Sequence, residues 1–401
     1  MFTKHLKKTY KLILLGLILA ALILPDSLLA ATNPPLTYGA WLPFWKKAEG
    51  AMELSLRLPK FTAISPFSYE VNADGTLIDK MKMESGFWPD WLNVVRAIKV
   101  KIVPSVALLD GTAIHKLLSN TTRRRQHATN IANLAKTKNY DGIDIDYEDK
   151  DAETEPYFSL FIEGLAYKLH AFGKKLSCTI EGRTPRASQF RVIPKDLAYA
   201  NNYAKINEFC DEVKIMAYDQ GRIDLDLNAK KGGSDLYMPV ADPEWVEKVI
   251  NQTIPTISAK KVILGIPTYG YIFEISWKDG VTTYKRVGAT TYPKAIELAQ
   301  KVGATSARNS AGELSFVYVT STSYTVSQGL TFTISSTKPA VLAAQTNPAA
   351  VMRLVSFSDA SSMKDKINLA KKYNLKGVYF FKADGDIDPA FWDEFNNDGK
   401  N

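Results

Sequence analysis

The chain has 401 residues, 46% of them hydrophobic and 23% charged, with a formal net charge of +8. That is enough apolar material to bury a large core, either as two ordinary domains or as one large α/β barrel with insertions, and it excludes a disordered chain. Two cysteines exclude a disulfide-dense scaffold.

The first thirty residues stand apart. Lys4, Lys7, Lys8 and Lys11 precede the apolar run from Leu12 to Leu24, and the small residues Ala30 and Ala31 follow it. This is the pattern of a secretory signal peptide over residues 1–30, which predicts a secreted or cell-surface location. Pro25 and Asp26 cut the run below the ~18 to 20 residues that span a bilayer, so an uncleaved anchor is the weaker reading. Residues 1–30 hold four of the lysines and one acid, so without them the formal charge falls to +5.

From Tyr38 onward, short β-branched and aromatic runs alternate with longer amphipathic stretches. The strand candidates in chain order are "YGAWLPFW", "FTAISPFSY", "KIVPSVALL", "DGIDIDYE", "LSCTIEG", "EVKIMAYD", "KVILGIP" and "KGVYFF". Helices are predicted over Ala113–Lys136, Tyr157–Phe172 and Pro243–Ser258. Eight strands with helical crossovers define the expected fold class as α/β, a closed (β/α)8 TIM barrel, with an open doubly wound sheet as the runner-up. The densest cationic cluster, Arg123–Arg125 in "TTRRRQH", lies on the first of these helices and reads as a solvated face rather than a nucleic-acid patch. Cys178 falls inside a strand, where a buried free thiol is the favoured reading, with pairing to Cys210 left open.

More than a hundred residues separate the seventh and eighth strands, far more than one crossover helix requires. Residues 273–355 contain "TTYKRVG", "LSFVYVT" and "GLTFTIS" as strand-like pieces and "YPKAIELAQKVG" as a helix, which predicts a small α+β insertion within a barrel of residues 31–401. The Ser/Thr-rich "TSTSYTVSQG" is an alternative loop.

The fourth strand carries the chemistry. Asp144, Asp146 and Glu148 alternate with Ile143, Ile145 and Tyr147, so the acids share one face and the apolar residues the other. Acids at i and i+2 stand about 6.5 to 7 Å apart along a strand, and three in a partly buried site cannot all ionise cheaply. One of them is expected to hold a proton near neutrality, as a general acid must. A calcium loop is excluded because Asp149 stands where glycine is needed, and "DGDIDPAFWDEF" fails the same test at Pro389 and Phe395. His115, His127 and His170 have no metal-ligand spacing, so no metal and no organic cofactor is implied.

These residues resemble a known family. "DGIDIDYE", Asp141 to Glu148, matches the D-G-x-D-x-D-x-E signature of glycoside hydrolase family 18, the chitinase-like enzymes. "VKIMAYD" resembles the family's sixth-strand M-x-Y-D block and "LGIPTYGY" its seventh-strand block. "ISPFSYEVNADGTL", "NNYAKINEFCDEVKIMAYD" and "PVADPEWVEKVI" resemble the branch with bacterial spore-wall and cortex hydrolases. Two departures stand out: Val106, Ala107 and Leu108 follow Ser105 where a glycine pair is usual, and Phe381 replaces the tryptophan that usually floors the sugar site.

The resemblance implies a retaining, substrate-assisted glycosidase acting on N-acetylglucosamine-containing polysaccharide, either chitin or peptidoglycan-type glycan. Glu148 would protonate the leaving oxygen, Asp146 would hydrogen-bond the acetamido N–H, and Asp144 would hold or trade a proton with Asp146. Tyr218 would steady the acetamido oxygen, with Asp219 beside it; the competing reading of this pair is a buried tyrosine and a helix N-cap. Met216 is expected in the pocket wall, and Phe67, Tyr269 and Phe381 are candidates to line the cleft. Asp141 is expected to shape the turn into the strand. No nucleic acid, no membrane span after leader cleavage and a monomer are expected, and a non-catalytic aminosugar-binding lectin is the alternative function.

Overall fold

The protein is described by a computed structural model over residues 35–232, 236–278, 281–321 and 350–397. The expected leader lies outside the described residues, as do "GLTFTIS" and all but the first two residues of "TSTSYTVSQG".

Each of the eight strand candidates contains a parallel strand: β1 (Thr37–Pro43), β2 (Ala63–Val71), β3 (Ser105–Leu108), β4 (Gly142–Tyr147), β5 (Lys175–Glu181), β6 (Glu212–Met216), β7 (Val262–Pro267) and β8 (Gly377–Phe381). Each pairs with the next, and β8 returns to β1 in the register Tyr38↔Val378. The circuit is therefore a closed (β/α)8 barrel, and the open sheet is excluded. The third strand is shorter than its apolar run. Pro104 has no N–H to give, so Lys101–Ile102 pairs separately with β2 before β3 begins.

The helix expected over Ala113–Lys136 is two helices, Gly111–Ser119 and Thr121–Thr137. Asn120 between them is extended, and its side chain accepts from the Arg123 backbone N–H at 3.0 Å as the N-cap of the second helix. The solvated-face reading of the arginine run fails at its centre. Arg124 is buried because its guanidinium turns back to the Leu118 carbonyl, an unpaired acceptor at the end of the first helix; Arg123 and Arg125 remain exposed. The third expected helix stops at Thr253 rather than Ser258, since Pro255 cannot continue its ladder.

Strand alternation sorts the side chains as expected. Ile143, Ile145 and Tyr147 face the helices, where the Tyr147 ring stacks on Phe161 with centroids 5.5 Å apart. The Tyr147 hydroxyl pairs with His127 Nε2, and Gly75 O lies 2.8 Å from His127 Nδ1. Burial pushes the His127 imidazole down to about 4, so it is neutral here: Nδ1–H donates to Gly75 and Nε2 accepts from Tyr147. The opposite face of the strands fills the barrel axis. Gly39 is required there, because a Cβ would stand 1.8 Å from the Tyr379 ring.

Cys178 and Cys210 form a disulfide, which corrects the expected free thiol. Cys178 is buried as its strand pattern demands, but it faces the helix layer, where Cys210 ends the helix Tyr203–Phe209. Burial was legible from the strand alone; the partner was set by where the crossover helix stops. The bridge spans 32 residues. A Cys178→Ala/Cys210→Ala variant is expected to lose about 3 to 4 kcal/mol of stability. Urea denaturation with and without reductant checks this: reductant should lower the midpoint of the wild type and leave the variant unchanged.

Between β7 and β8 lies a second, antiparallel sheet. Its strands run in the order Val281–Thr291, Tyr269–Lys278, Ala350–Phe357, Leu314–Ser321, Ala307–Arg308. It begins at Tyr269, directly after β7, rather than at Phe273. The helix Tyr292–Val302 covers one face, packing Ala295, Ala299 and Val302 on Phe316, Val355 and Phe357. The other face places Phe273, Ile275 and Met352 against Leu236 and Met238 of the segment that follows β6. Buried Glu313 ties the two together, accepting from the backbone N–H groups of Val240 (3.0 Å) and Ala241 (2.7 Å) and from Ser356 Oγ (2.9 Å).

Candidate active site

The axis-facing residues of β4 are Asp144 and Asp146, both buried. Asp144 sits at the centre of the barrel and collects donors from four other strands. Trp41 Nε1 (3.1 Å), Ser105 Oγ (3.0 Å) and Lys214 Nζ (3.1 Å) reach its Oδ2, and Thr179 Oγ1 lies 3.0 Å from Oδ1. Asp146, one pleat further along, is different. Its Oδ1 has no hydrogen-bond partner among the described residues, and burial, followed by the charges of Glu148 and Asp144, pushes its carboxyl well above the usual aspartate range.

Glu148 follows the last residue of β4, and its backbone N–H continues the ladder to the Leu108 carbonyl at 3.0 Å. It is half-buried at the mouth of the barrel. Burial first, then the nearby Glu181, Asp149 and Asp219 charges, pushes its carboxyl up to about 7. Lys150 opposes that rise. Its ammonium is withdrawn from solvent, donates to the Tyr147 carbonyl and lies 3.7 Å from Glu181 Oε1. The strand end thus holds two carboxyl groups, Asp146 and Glu148, that burial and mutual repulsion both push toward the protonated form.

Aromatic rings pack together beside these acids. Tyr218 lies just past β6, buried, with its ring parallel to Phe381 at 5.4 Å and edge-on to Tyr269 at 6.2 Å. Burial, then the charges of Asp146, Asp219 and Glu148, pushes the Tyr218 phenol well above its ordinary value, so it remains a hydroxyl donor. Gly265 on β7 makes room for that ring; a Cβ would fall 2.8 Å from it. Phe381 is only half-buried and meets Trp41 edge-on at 5.8 Å. Phe67 packs into the same cluster at the rim.

Asp219 has a left-handed backbone (φ 58°) and caps no helix; the next one, Leu225–Lys231, is capped by Asp224. Instead Asp219 Oδ1 accepts from the hydroxyls of Tyr269 and Tyr271, each at 2.6 Å. The first strand of the second sheet is therefore anchored beside the acids. Met216 is half-buried, with its Cα opposite that of Glu181. Asp141 accepts from the Ile102 backbone N–H (2.9 Å) and Lys101 Nζ (2.9 Å), which fixes the entry to β4. The acids of "DGDIDPAFWDEF" serve structure: Asp386 accepts from Thr291 Oγ1, and Asp388 accepts from the Ala360 and Ala390 backbone.

Several residues of this site were not anticipated. Lys214, Thr179 and Trp41 hold Asp144; Lys150 and Glu181 flank Glu148; Tyr271 shares Asp219. The signal for Lys214 was its parity: it lies on the same strand face as Met216, two residues on. Trp45, half exposed and edge-on to Phe67 at 6.3 Å, stands at the rim of the same cluster. Among the described residues no group of His, Cys, Asp and Glu side chains is placed to hold a metal ion.

Carboxyl groups at the C-terminal end of a barrel strand, one of them protonatable near neutrality and all beside an aromatic cluster, define a barrel glycosidase. Residues 91–386 match the family model "Glycosyl hydrolases family 18". The chain belongs to that family. Among curated proteins it is 27% identical over 284 residues to YvbX, an uncharacterized glycosylase of Bacillus subtilis, covering 71% of this chain and 68% of that one. It is 22% identical over 342 residues to the cortical fragment-lytic enzyme of the same organism, covering 84% of this chain and 69% of that one. Solved structures with the same fold include the Bacillus cereus spore cortex-lytic enzyme SleL, with TM-score 0.66, 20% identity and coverage of 91% and 74%. A chitinase from Chromobacterium violaceum matches with TM-score 0.66, 20% identity and coverage of 90% and 98%.

Proposed function

We propose that this protein hydrolyses β-linked N-acetylglucosamine polymers with retention of configuration, using the substrate's own 2-acetamido group as nucleophile. The observation that carries this reading is the set Asp144, Asp146 and Glu148 on one strand end, with Glu148 able to hold a proton near neutrality beside Tyr218. In this mechanism Glu148 protonates the leaving oxygen while the acetamido carbonyl attacks the anomeric carbon. Asp146 accepts a hydrogen bond from the acetamido N–H and offsets the positive charge of the oxazolinium intermediate, and Tyr218 donates to the acetamido oxygen. Water then opens the ring with Glu148 as base. The relative named as a cortical fragment-lytic enzyme supports peptidoglycan-type glycan as the substrate. The Cys178–Cys210 bridge supports export, because such bridges persist in oxidising compartments.

The test is product analysis on N-acetylglucosamine oligomers and purified peptidoglycan. The β-anomer should appear first, and an N-deacetylated oligomer should be cut poorly; initial α-anomer would rule out acetamido assistance. The pH dependence follows from the same groups. Glu148 must be protonated to act as acid, so kcat/KM should fall as pH rises through about 7. Asp146 must ionise to offset the intermediate's charge, and its raised value places the acidic limb above the ordinary aspartate value of 3.8. The expected profile is a narrow bell, readable from initial rates between pH 4 and 9.

A further inference from the structure

Lys214 is fully buried inside the barrel, between Val213 and Ile215, which face the helices. Its Nζ lies 3.1 Å from Asp144 Oδ2, donates to Ser65 Oγ at 2.8 Å and stands 4.0 Å from the Tyr379 ring centroid and 5.1 Å from that of Trp41. A buried ammonium is tolerated only where a charge and hydrogen-bond acceptors meet it, and the carboxylate that meets it within 4 Å is Asp144, while Ser65 Oγ, its other acceptor, is paired with the Tyr379 hydroxyl. With Trp41, Ser105 and Thr179 also donating, both oxygens of Asp144 are supplied from β1, β3, β5 and β6. Four side chains on four strands thus converge on the Asp144 carboxyl group. Asp146, by contrast, keeps Oδ1 without a partner.

We infer that Lys214 is a positioning residue that fixes Asp144 as a standing acceptor opposite an ammonium, so that the proton of the acid ladder is exchanged between Asp146 and Glu148 alone. This rests on the hydrolysis proposed above. The groups facing Asp146 are Asp144 and Glu148 from its own strand end, Lys150 after β4, Glu181 on β5 and Tyr218 after β6. Lys214 makes its direct contact with these acids at Asp144 Oδ2. Without the ammonium, the uncompensated Asp144 charge opposes ionisation of Asp146, and the acidic limb of the rate profile moves to higher pH.

The experiment measures kcat and KM against pH on an N-acetylglucosamine oligomer, with circular dichroism to confirm folding. Lys214→Met is expected to raise the acidic limb by about one pH unit, which is a tenfold loss of kcat at a fixed pH on that limb, with KM little changed. Lys214→Gln, which keeps a donor without the charge, should behave like Lys214→Met. Asp144→Asn combined with Lys214→Met should be no slower than Asp144→Asn alone, since the lysine works through that carboxylate. A folded Lys214→Met protein with unshifted limbs overturns the inference, as do additive losses in the double variant. Should Lys214→Met alone fail to fold, the double variant, in which both charges leave together, is compared with Asp144→Asn directly, and a slower double variant overturns the inference. Wild-type turnover tests the hydrolysis separately: if it is present and the lysine comparisons fail, only the role of Lys214 is overturned, whereas its absence overturns both.

Discussion

Replacing Glu148 by glutamine is expected to lower kcat on N-acetylglucosamine oligomers by about 10²- to 10⁴-fold while leaving oligomer binding intact. Glutamine keeps the shape and a donor, but it cannot release a proton to the leaving oxygen. The loss should therefore fall on kcat, because the proton moves only in the transition state. Isothermal titration and initial rates on the same protein separate the two; equal turnover by both proteins would remove Glu148 from its role. Stability supplies an independent sign. The Glu148 carboxyl lies above its unfolded value of 4.5, so the folded state holds that proton longer than the unfolded state does. The stability it contributes is complete below pH 4.5 and is lost as pH rises through about 7. The variant should lack that decline, and its melting temperature should depend less on pH across this window.

Asp146→Asn is expected to lower kcat by about 10²- to 10³-fold, comparable with removing one preorganised electrostatic partner of a transition state. The amide fits the same space but, in the proposed mechanism, cannot offset the positive charge that would develop on the acetamido nitrogen. A second effect tells this apart from general damage. Asp146 and Glu148 repel each other's ionised forms, so a neutral residue at 146 lowers the glutamate's value and moves the alkaline limb to lower pH. An unmoved limb, or a loss carried only by KM, would remove Asp146 from the proposed exchange.

The barrel was legible because its strands repeat one pattern eight times and the helices between them are amphipathic. The acids were legible because alternation alone puts Asp144, Asp146 and Glu148 on one face. Asn120 was not, because an asparagine inside a helical pattern reads as a tolerated interior residue until its side chain is seen capping the next helix. Lys214 was missed for a related reason. A single lysine in an apolar run suggests an edge, and only counting parity from Tyr218 back through Met216 turns it inward. Tyr271 and Glu181 reach the acids through tertiary placement, which local pattern does not encode. The disulfide joins a strand to a helix end, so its geometry was equally hidden.

Glu313 bears on how such a barrel can be re-engineered. Its carboxylate reaches out of the second sheet into the Val240–Ala241 backbone, and that sheet also supplies Tyr269 and Tyr271 to Asp219. A chimera that transplants residues 269–357 without the chain around Val240 would bring an acidic peg without its socket. Workable breakpoints must keep both halves of that joint from a single parent.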